Sequence, residues 1–333
     1  MCGIVGYSGP KEPLPILING LSRLEYRGYD SAGIAISDGN KITVEKKEGK
    51  LDVLKNHLKD SNIKGNIGIG HTRWATHGVP NDVNAHPHSD NSEEFAIIHN
   101  GIIENYAEIK KDLLEEGFEF KSDTDTEVVA VELSRKWNGQ LLKTVTDVAK
   151  TLEGTYALVV TTTKEEGTIV AGRLMSPLVL GVGENEVFLA SDSAAILEHT
   201  NKMIFLENGD FVEIKNGQYK LFDSELNEIE REIQEIDWEV SEAEKLGYDH
   251  FMYKEILEQS EVIERTISGR LETTSKEIPI KQDEASKYEK IWIVACGTAY
   301  HAGLFGKDLF EKVLGVPVSV ELASEFRYRE PIV

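Results

Sequence analysis

The stretch from Thr155 to Phe222 constrains the fold most, because nearly all of it has the pattern of short β-strands separated by tight turns. Four segments are rich in β-branched and apolar residues: TYALVVTTT, TIVAGRL, LVLGVG and EVFLASD. Asn-Gly turns follow at Asn208-Gly209 and Asn216-Gly217. The first half of the chain alternates short strands with amphipathic helices, such as the one in PLPILINGLSRLEYRG. Many strands with helices between them predict stacked sheets with helical outer layers.

The character of the sequence changes near Asp223. The segment DSELNEIEREIQEIDWEVSEAEKLG is acidic and poor in core residues, which is typical of a connector. After a helical stretch, IWIVACGTAYHAGLFGKDLFEKVLGVPVSVELASEF has the order strand, glycine turn, helix and strand, which predicts one βαβ unit of a parallel α/β domain. We therefore predict a first domain over residues 1–222, an acidic linker with a connecting helix over 223–289, and the beginning of a second domain over 290–333.

Composition excludes some classes of protein. The formal net charge of −22 argues against binding to nucleic acid backbones, which needs a basic face. No window has the roughly 18 continuous apolar residues of a membrane span, and the N-terminus lacks the pattern of a signal peptide. We expect neither nucleic acid nor membrane as a partner, and a cytoplasmic location. The two cysteines do not make a disulfide scaffold, and Cys296 is expected to be a small core residue at a strand end.

Cys2 directly follows the initiator methionine in MCGIVGYSGP. Cysteine is small enough to permit removal of that methionine, which would leave one residue with both a thiol and a free α-amine. An α-amine has a pKa of about 7.7–8.0, so part of it is a neutral base at pH 7, and such an amine can activate the nucleophile on its own residue. Cys2 is therefore a candidate nucleophile. The alternative is an accident of position next to the start codon.

Three further motifs carry polar groups suited to binding and catalysis. GHTRWATHG places Arg73 and two histidines on a glycine-bounded loop, where a guanidinium can bind a carboxylate through two hydrogen bonds. HNGIIEN offers the side-chain amide of Asn100 and a close backbone approach at Gly101, as in an oxyanion hole. SDTDTE precedes a helix, where a free carboxylate could accept an α-ammonium group. The alternatives are an ordinary surface loop, a simple Asn-Gly turn, and capping of the helix by Asp123, Thr124 and Asp125.

His86 and His88 form an H-x-H pair in NAHPHS. Such a pair can bind a metal ion, but no convincing third ligand is spaced nearby. We therefore expect these histidines to serve in packing and loop hydrogen bonds, and we predict neither a metal nor another cofactor.

Six segments, taken in order, resemble the glutaminase domain of the glutamine–fructose-6-phosphate aminotransferase family. They are MCGIVGY, LEYRGYDSAGIA, GHTRWATHG, NAHPH, HNGIIEN and SDTDTE. The resemblance covers essentially the whole chain, since YDHFMYKEILEQ resembles the family's interdomain segment and VACGTAYHAG the start of its sugar isomerase domain. It implies an α+β fold, namely an N-terminal-nucleophile four-layer αββα sandwich followed by an incomplete α/β unit of the sugar isomerase type. It also implies hydrolysis of L-glutamine through a thioester, with ammonia passed on for amino sugar biosynthesis.

The resemblance also implies roles for individual residues. Catalysis falls to the Cys2 thiol, with its α-amine as base, and to Asn100 and Gly101 as the oxyanion hole. The remaining matches bind the substrate or control the ammonia path: Arg73 for the α-carboxylate, Asp125 for the α-ammonium, Thr76 and His77 in the glutamine loop, Arg27 and Gly28 beside the nucleophile, and Trp74 as the gate of the ammonia channel.

The family's chains are longer, and its phosphate loop, isomerase residues and Schiff-base lysine would lie beyond Val333. We therefore expect this chain to perform only the glutaminase half, with fructose 6-phosphate a substrate only in a full-length parent. Homodimers are expected for the full-length family. Two alternatives stay open: a catalytically silent glutamine-binding regulatory module, and another N-terminal-nucleophile amidase. The pairing of Arg73 with Asp125 speaks against the second, because a different amide need not offer both charges.

Overall fold

Two antiparallel sheets form most of the first of two units, which span Met1–Phe251 and Met252–Val333. The computed structural model describes residues 2–75, 77–236, 248, 250–267, 288–329 and 331–332. The predicted site residue Thr76 and most of the predicted linker after residue 236 lie outside these ranges. Among the helices that the structure describes, none has the length and apolar character needed to cross a membrane.

Within the described ranges, one sheet has eight strands in the order β15-β11-β9-β10-β1-β4-β2-β3, and each neighbouring pair is antiparallel. Its strands are β1 (Gly3–Ser8), β2 (Ser31–Ser37), β3 (Ile42–Glu48), β4 (Ile67–Arg73), β9 (Val179–Val182), β10 (Val187–Ala190), β11 (Lys202–Phe205) and β15 (Gln234–Glu235). The segment SAGIAISDGNKITVEKKEG forms the β2–β3 hairpin, with Ser37 opposite Ile42 across the turn.

The other sheet has seven strands among the described residues, in the order β14-β13-β12-β8-β7-β6-β5, again with antiparallel neighbours. Its strands are β5 (His88–Ser89), β6 (Phe95–Ile103), β7 (Gly154–Thr162), β8 (Thr168–Leu174), β12 (Phe211–Lys215), β13 (Gln218–Phe222) and β14 (Glu228–Ile229). The longest pairing joins β6 to β7 over nine residue pairs, from Phe95↔Thr162 to Ile103↔Gly154.

The core is divided into layers because strand side chains alternate between two faces. Ile4 and Ile98 belong to an apolar cluster between the two sheets, whereas Val5 belongs to a cluster that packs against helices on the outer face of the first sheet. Those helices are α1 (Pro13–Leu24) and α2 (Leu51–Leu58). A third cluster packs the outer face of the second sheet against α4 (Asp125–Arg135) and α5 (Leu141–Ala149), and α3 (Tyr106–Glu115) packs beside α4. The predicted four-layer αββα sandwich is confirmed.

The sheets extend beyond residue 222, where we placed the end of the first domain. β14 and β15 lie inside the predicted acidic linker, and they pair with the edge strands β13 and β11. Arg231, between these two short strands, donates two hydrogen bonds of 2.9 and 2.8 Å to the buried Asp210 carboxylate. The start of the linker is therefore part of the sandwich, because backbone pairing and an ion pair hold it where apolar side chains are scarce.

The second unit contains the predicted βαβ arrangement. β16 (Ile291–Ala295) and β17 (Val318–Leu322) are parallel, with Ile293 opposite Val320, and α7 (Gly297–Leu314) connects them. The helices α6 (Phe251–Ile267) and α8 (Ala323–Tyr328) precede and follow this arrangement. The expectation of a buried Cys296 is wrong, since its side chain is exposed. Cys296 lies just past β16 at the start of α7, and β16 pairs only with β17 among the described strands.

Candidate active site

The ends of three strands bring the predicted site residues together. Cys2 directly precedes β1, whose Gly3 lies opposite Thr72 of β4, so that Cys2 is adjacent to Arg73 at the end of β4. Asn100 and Gly101 lie in β6 of the facing sheet. The antiparallel pairing of β1 with β4 and the stacking of the two sheets therefore place residues from distant parts of the sequence at one place in the fold.

A cavity of about 310 Å³ opens at this place. Seven of the predicted residues line it: Cys2, Arg27, Arg73, Trp74, Asn100, Gly101 and Asp125. Gly28 and His77 do not line the cavity. Both contact Arg73, which does line it. Residues that we did not predict complete the wall, and they include His99, Ile102, Thr126, Thr155, Ser176 and Pro177.

The Cys2 thiol is held against the backbone of Trp74. The Trp74 N–H donates to Cys2 Sγ at 3.2 Å, and Sγ lies 3.6 Å from the Trp74 carbonyl oxygen. Burial raises the pKa of the Cys2 thiol, although the Trp74 contact and the positive charge of Arg73 oppose the effect. A thiol with a raised pKa is mostly protonated at neutral pH, so this sulfur needs a base before it can act as a nucleophile.

Arg27 lies in the cavity wall, and Gly28 directly after it packs against the backbone of Arg73. Arg27 Nη2 donates to Asp192 Oδ2 at 2.6 Å, and the Tyr26 hydroxyl donates to the same oxygen at 3.0 Å. Gly28 has an extended backbone, but a Cβ atom there would lie 2.7 Å from the carbonyl carbon of Arg73. Only glycine allows the chain to pass so close to the strand end that carries Arg73.

Asn100 contacts the nucleophile residue through its side-chain amide. Its Nδ2 donates to the Cys2 carbonyl oxygen at 3.0 Å, which leaves the second hydrogen of the amide for another acceptor. Gly101 next to it has φ of 134°, and a Cβ atom there would lie 2.0 Å from the Thr155 carbonyl oxygen. Both the backbone conformation and the available space therefore require glycine at this position.

Arg73 is almost completely buried, with 4% of its surface exposed. Its Nη2 donates to the carbonyl oxygens of His77 and Gly78, and the second of these distances is 3.3 Å. Among the described residues, Nη1 is buried without a hydrogen-bond partner. Burial also lowers the pKa of the guanidinium. A buried cation with an unsatisfied donor in a cavity wall is suited to bind an anion.

Asp125 begins α4, but another residue caps the helix. The Thr124 hydroxyl accepts the Glu127 N–H at 3.3 Å, which is the N-cap contact. Asp125 Oδ2 accepts the Ile103 N–H at 2.9 Å, and the carboxylate lies in the cavity wall. The capping alternative therefore holds for Thr124 and leaves Asp125 available to a ligand.

The loop after Arg73 is fixed at its start. The Ala75 N–H donates to Asp30 Oδ2 at 2.8 Å, and the exposed Trp74 ring packs edge-on against Tyr29 with centroids 5.6 Å apart. The His77 ring packs in the same way against Tyr106 at 5.4 Å. Asp30 and Tyr29 lie in the motif EYRGYDSAG, which marked the region without indicating these contacts.

The H-x-H pair is part of a buried group of histidines. The His86 ring stacks on His71 with centroids 4.2 Å apart, and His88 Nε2 lies 3.0 Å from the Thr124 hydroxyl. The His99 N–H donates to His86 Nδ1 at 3.3 Å. Packing and hydrogen bonds thus account for both residues of the pair. Within the described ranges, no group of three His, Cys, Asp or Glu side chains could hold a metal ion.

Known proteins match this chain in two parts. A family model described as a glutamine amidotransferase domain matches residues 56–260, and one described as an SIS domain matches residues 285–332. A glutamine–fructose-6-phosphate aminotransferase (isomerizing) from Clostridium perfringens is 50% identical over 100% of this chain and 55% of its own length. The enzyme of the same name from Aquifex aeolicus is 46% identical over 99% of this chain and 55% of its own. The chain thus spans about half the length of these relatives.

Solved structures agree with the fold. One titled as the allosteric regulatory enzyme of purine biosynthesis has a TM-score of 0.61 at 28% identity, over 68% of this chain and 50% of its own. The glutamine phosphoribosylpyrophosphate amidotransferase from B. subtilis, complexed with ADP and GMP, also has a TM-score of 0.61. It is 22% identical over 96% of this chain and 65% of its own, which supports the fold alone. The first family model covers more than half of the chain, and the predicted resemblance extends over its whole length. The chain therefore belongs to the glutamine amidotransferase family, and it corresponds to the amidotransferase and initial SIS portions of glutamine–fructose-6-phosphate aminotransferases.

Proposed function

We propose that the first unit hydrolyses L-glutamine to glutamate and ammonia, with Cys2 as the nucleophile. The observation that carries this proposal is the convergence of Cys2, Asn100, Arg73 and Asp125 on one cavity. Family membership supports it, because the amidotransferase family model covers residues 56–260, which include Arg73, Asn100 and Asp125 of this cavity.

The reaction begins when Met1 has been removed and the α-amine of Cys2 takes the thiol proton. The raised pKa of the thiol makes such a base necessary. The thiolate then attacks the side-chain amide carbon of glutamine, and the negative charge on the amide oxygen is held by the free hydrogen of Asn100 Nδ2 and by the Gly101 N–H. The C–N bond breaks, the protonated amine returns its proton to the departing nitrogen, and ammonia leaves. Water attacks the resulting thioester, which releases glutamate and restores the thiol.

Two charged residues select free glutamine. Arg73 binds the α-carboxylate, since its Nη1 has no partner among the described residues. Asp125 binds the α-ammonium group, since its carboxylate lies in the same cavity wall. A glutamine inside a peptide carries neither charge and is rejected. Thr76 and His77 belong to the loop that closes over the substrate. Arg27 lines the cavity, and Gly28 allows close packing against Arg73.

The wider reaction is the transfer of ammonia to fructose 6-phosphate, which the names of the relatives support. Trp74 is the gate of the ammonia path in this proposal, since its exposed ring lies directly after Arg73 and its backbone contacts the thiol. Fructose 6-phosphate is a substrate of the longer relatives, and a homodimer is expected for a chain of their length. Both cysteines are free thiols, which suits a reducing, cytoplasmic location.

A glutaminase assay with matched asparagine variants tests the proposal. Asn100→Ala should lower kcat roughly 10²- to 10³-fold, which is the usual cost of one oxyanion donor. Asn40→Ala, in the β2–β3 hairpin turn, is the control and should keep full activity, because Asn40 does not line the cavity. An unchanged kcat in Asn100→Ala would overturn the oxyanion role. Glutamine binding without turnover in the unaltered chain would instead favour a silent glutamine-binding module.

The role of the α-amine has its own test. An N-terminal extension that cannot be removed should abolish glutamine hydrolysis although the Cys2 thiol is intact. Activity should return when a protease site placed directly before Cys2 is cut. Full activity in the extended protein would show that the base lies elsewhere.

A further inference from the structure

His71 lies between the two sheets, directly against Asn100. It is in β4, where it shares the inward face with Ile69, and only 1% of its surface is exposed. Its Nε2 is 3.0 Å from Asn100 Oδ1 and 3.1 Å from the His99 carbonyl oxygen. His71 is not part of the cavity wall, so it would not touch a substrate there.

The two contacts of Nε2 determine which ring nitrogen carries the proton. The His99 carbonyl oxygen can only accept a hydrogen bond, so Nε2 must be the donor. An N–H at this position also requires an oxygen on the Asn100 side, which fixes that atom as Oδ1. The opposite end of the amide then has to be Nδ2, and it faces the Cys2 carbonyl oxygen, which again can only accept. Two independent partners thus give the same orientation.

His71 keeps this role across the working pH range. Burial lowers the pKa of His71 to about 3, and the positive charge of Arg73 acts in the same direction. The ring therefore donates as a neutral imidazole. Its Nδ1 is buried without a partner among the described residues, and the ring stacks on His86. Nδ1 thus offers no competing hydrogen bond that would turn the ring away from Asn100.

We propose that His71 is a positioning residue for the oxyanion hole, because its Nε2–H fixes the Asn100 amide with Nδ2 toward the nucleophile. This inference rests on the proposed glutaminase function. An asparagine amide has nearly the same shape when it is flipped by 180°, so packing alone does not select the donor end. In the flipped state Oδ1 would face the developing oxyanion and repel it. The hydrogen bond from His71 excludes that state before the substrate arrives, which is the preorganisation that electrostatic catalysis needs.

Two substitutions of His71 distinguish the effect of losing its hydrogen bond from the effect of losing its imidazole ring. A glutamine amide nitrogen reaches about as far as Nε2 of histidine, whereas an asparagine amide reaches only as far as Nδ1. His71→Gln should therefore keep kcat within a few-fold of the unaltered protein. His71→Asn should lower kcat roughly 10- to 100-fold, which is less than the effect of removing the Asn100 amide. The KM for glutamine should stay within about two-fold in both, because neither variant alters Arg73 or Asp125. A raised KM with unchanged kcat in His71→Asn would overturn the proposal.

A double-mutant cycle distinguishes action through Asn100 from general damage. If His71 acts only by orienting Asn100, His71→Asn in the Asn100→Ala background should change kcat less than about two-fold. Independent effects that multiply would overturn the positioning role while leaving the glutaminase proposal intact. A normal kcat in Asn100→Ala alone would instead refute the oxyanion role itself. His57→Asn, at a surface histidine that pairs with Glu45, is the control and should leave kcat unchanged.

The unaltered protein provides a measurement that needs no variant of His71. Nitrogen-15 NMR of the imidazole should show one tautomer, with the proton on Nε2, at pH values between about 5 and 8, as expected for a lowered pKa. A proton on Nδ1 would overturn the proposal even if both His71 variants failed to fold.

Discussion

The buried histidines predict that mild acid destabilises the first unit. His71, His86 and His88 are each no more than 5% exposed, and burial lowers the pKa of all three, to about 3 for His71 and well below the usual value for the other two. The positive charges of Arg73 and Lys46 face this group and lower the pKa values further. The folded state therefore keeps these rings neutral at a pH where the unfolded chain protonates them.

The sign and size follow from proton linkage. Between the ordinary pKa of about 6.5 and the lowered pKa of about 3, the unfolded state binds one more proton at His71 than the folded state. Stability therefore falls as the pH falls through this window, by about 1.4 kcal/mol per pH unit for each such histidine. His71 alone should lower the free energy of unfolding by about 2 kcal/mol by pH 5, and His86 and His88 should add to this loss in the same direction.

Urea unfolding at several pH values between about 7.5 and 5 measures this loss. The free energy of unfolding should fall as the pH falls, with a slope near pH 5.5 steeper than the about 1.4 kcal/mol per pH unit of a single histidine, equivalent to the uptake of more than one proton. His88→Gln should reduce the slope, while His57→Gln, at the surface, should leave it unchanged. The free energy of unfolding would be equal at pH 7 and pH 5 if the reasoning were wrong. An equal effect of the two variants would also refute it.

The remaining predictions concern the site and the second unit. Cys2→Ala should fold and bind glutamine, as measured by calorimetry, but show no turnover; residual turnover would point to another nucleophile. Arg73→Ala and Asp125→Ala should each raise KM roughly 10- to 150-fold, because each removes a charge-assisted hydrogen bond of about 1.5–3 kcal/mol; an unchanged KM in both would contradict the proposed substrate contacts. Glutamate release should not depend on fructose 6-phosphate, and a paired assay should detect no glucosamine 6-phosphate; formation of that product would place the isomerase machinery within this chain.

The layers of the fold could be predicted from the sequence, but the order of the strands could not. Alternating apolar residues and Asn-Gly turns indicated the strands, and the family resemblance implied the four-layer sandwich. The pairing of Val5 with Ala190 joins two strands that are far apart in the sequence, and nothing local to β1 or β10 indicates it. Such pairings depend on how all the strands fill the sheet together, so a segment-by-segment analysis does not reach them.

The edges of the sandwich were predicted least well, because their stability comes from neighbours and not from their own residues. β14 and β15 have two residues each and lie in an acidic segment with few apolar side chains. Their backbone groups pair with edges that β13 and β11 leave open. Composition alone therefore favoured a linker there. The prediction that Cys296 is buried was wrong for the opposite reason. Its neighbours in the sequence are apolar, but it lies past the end of a strand with a single partner among the described strands, and its side chain is exposed.

The site residues that could be predicted are those whose type and position in the sequence suggest a chemical role. A cysteine after the initiator methionine and an Arg on a glycine-bounded loop are unusual enough to suggest a role from sequence, and both lie in the cavity wall. His71 has no such signature, although it stands in the same motif as Arg73. The alternation along β4 puts His71 on the inward face with Ile67 and Ile69, so its burial was predictable. Its partner was not, because Asn100 lies 29 residues away in the other sheet, and the sequence does not specify which strands of the two sheets face each other. A histidine on that face could equally have been a core residue with a local hydrogen bond, and only the stacking of β4 against β6 gives it Asn100 as its acceptor.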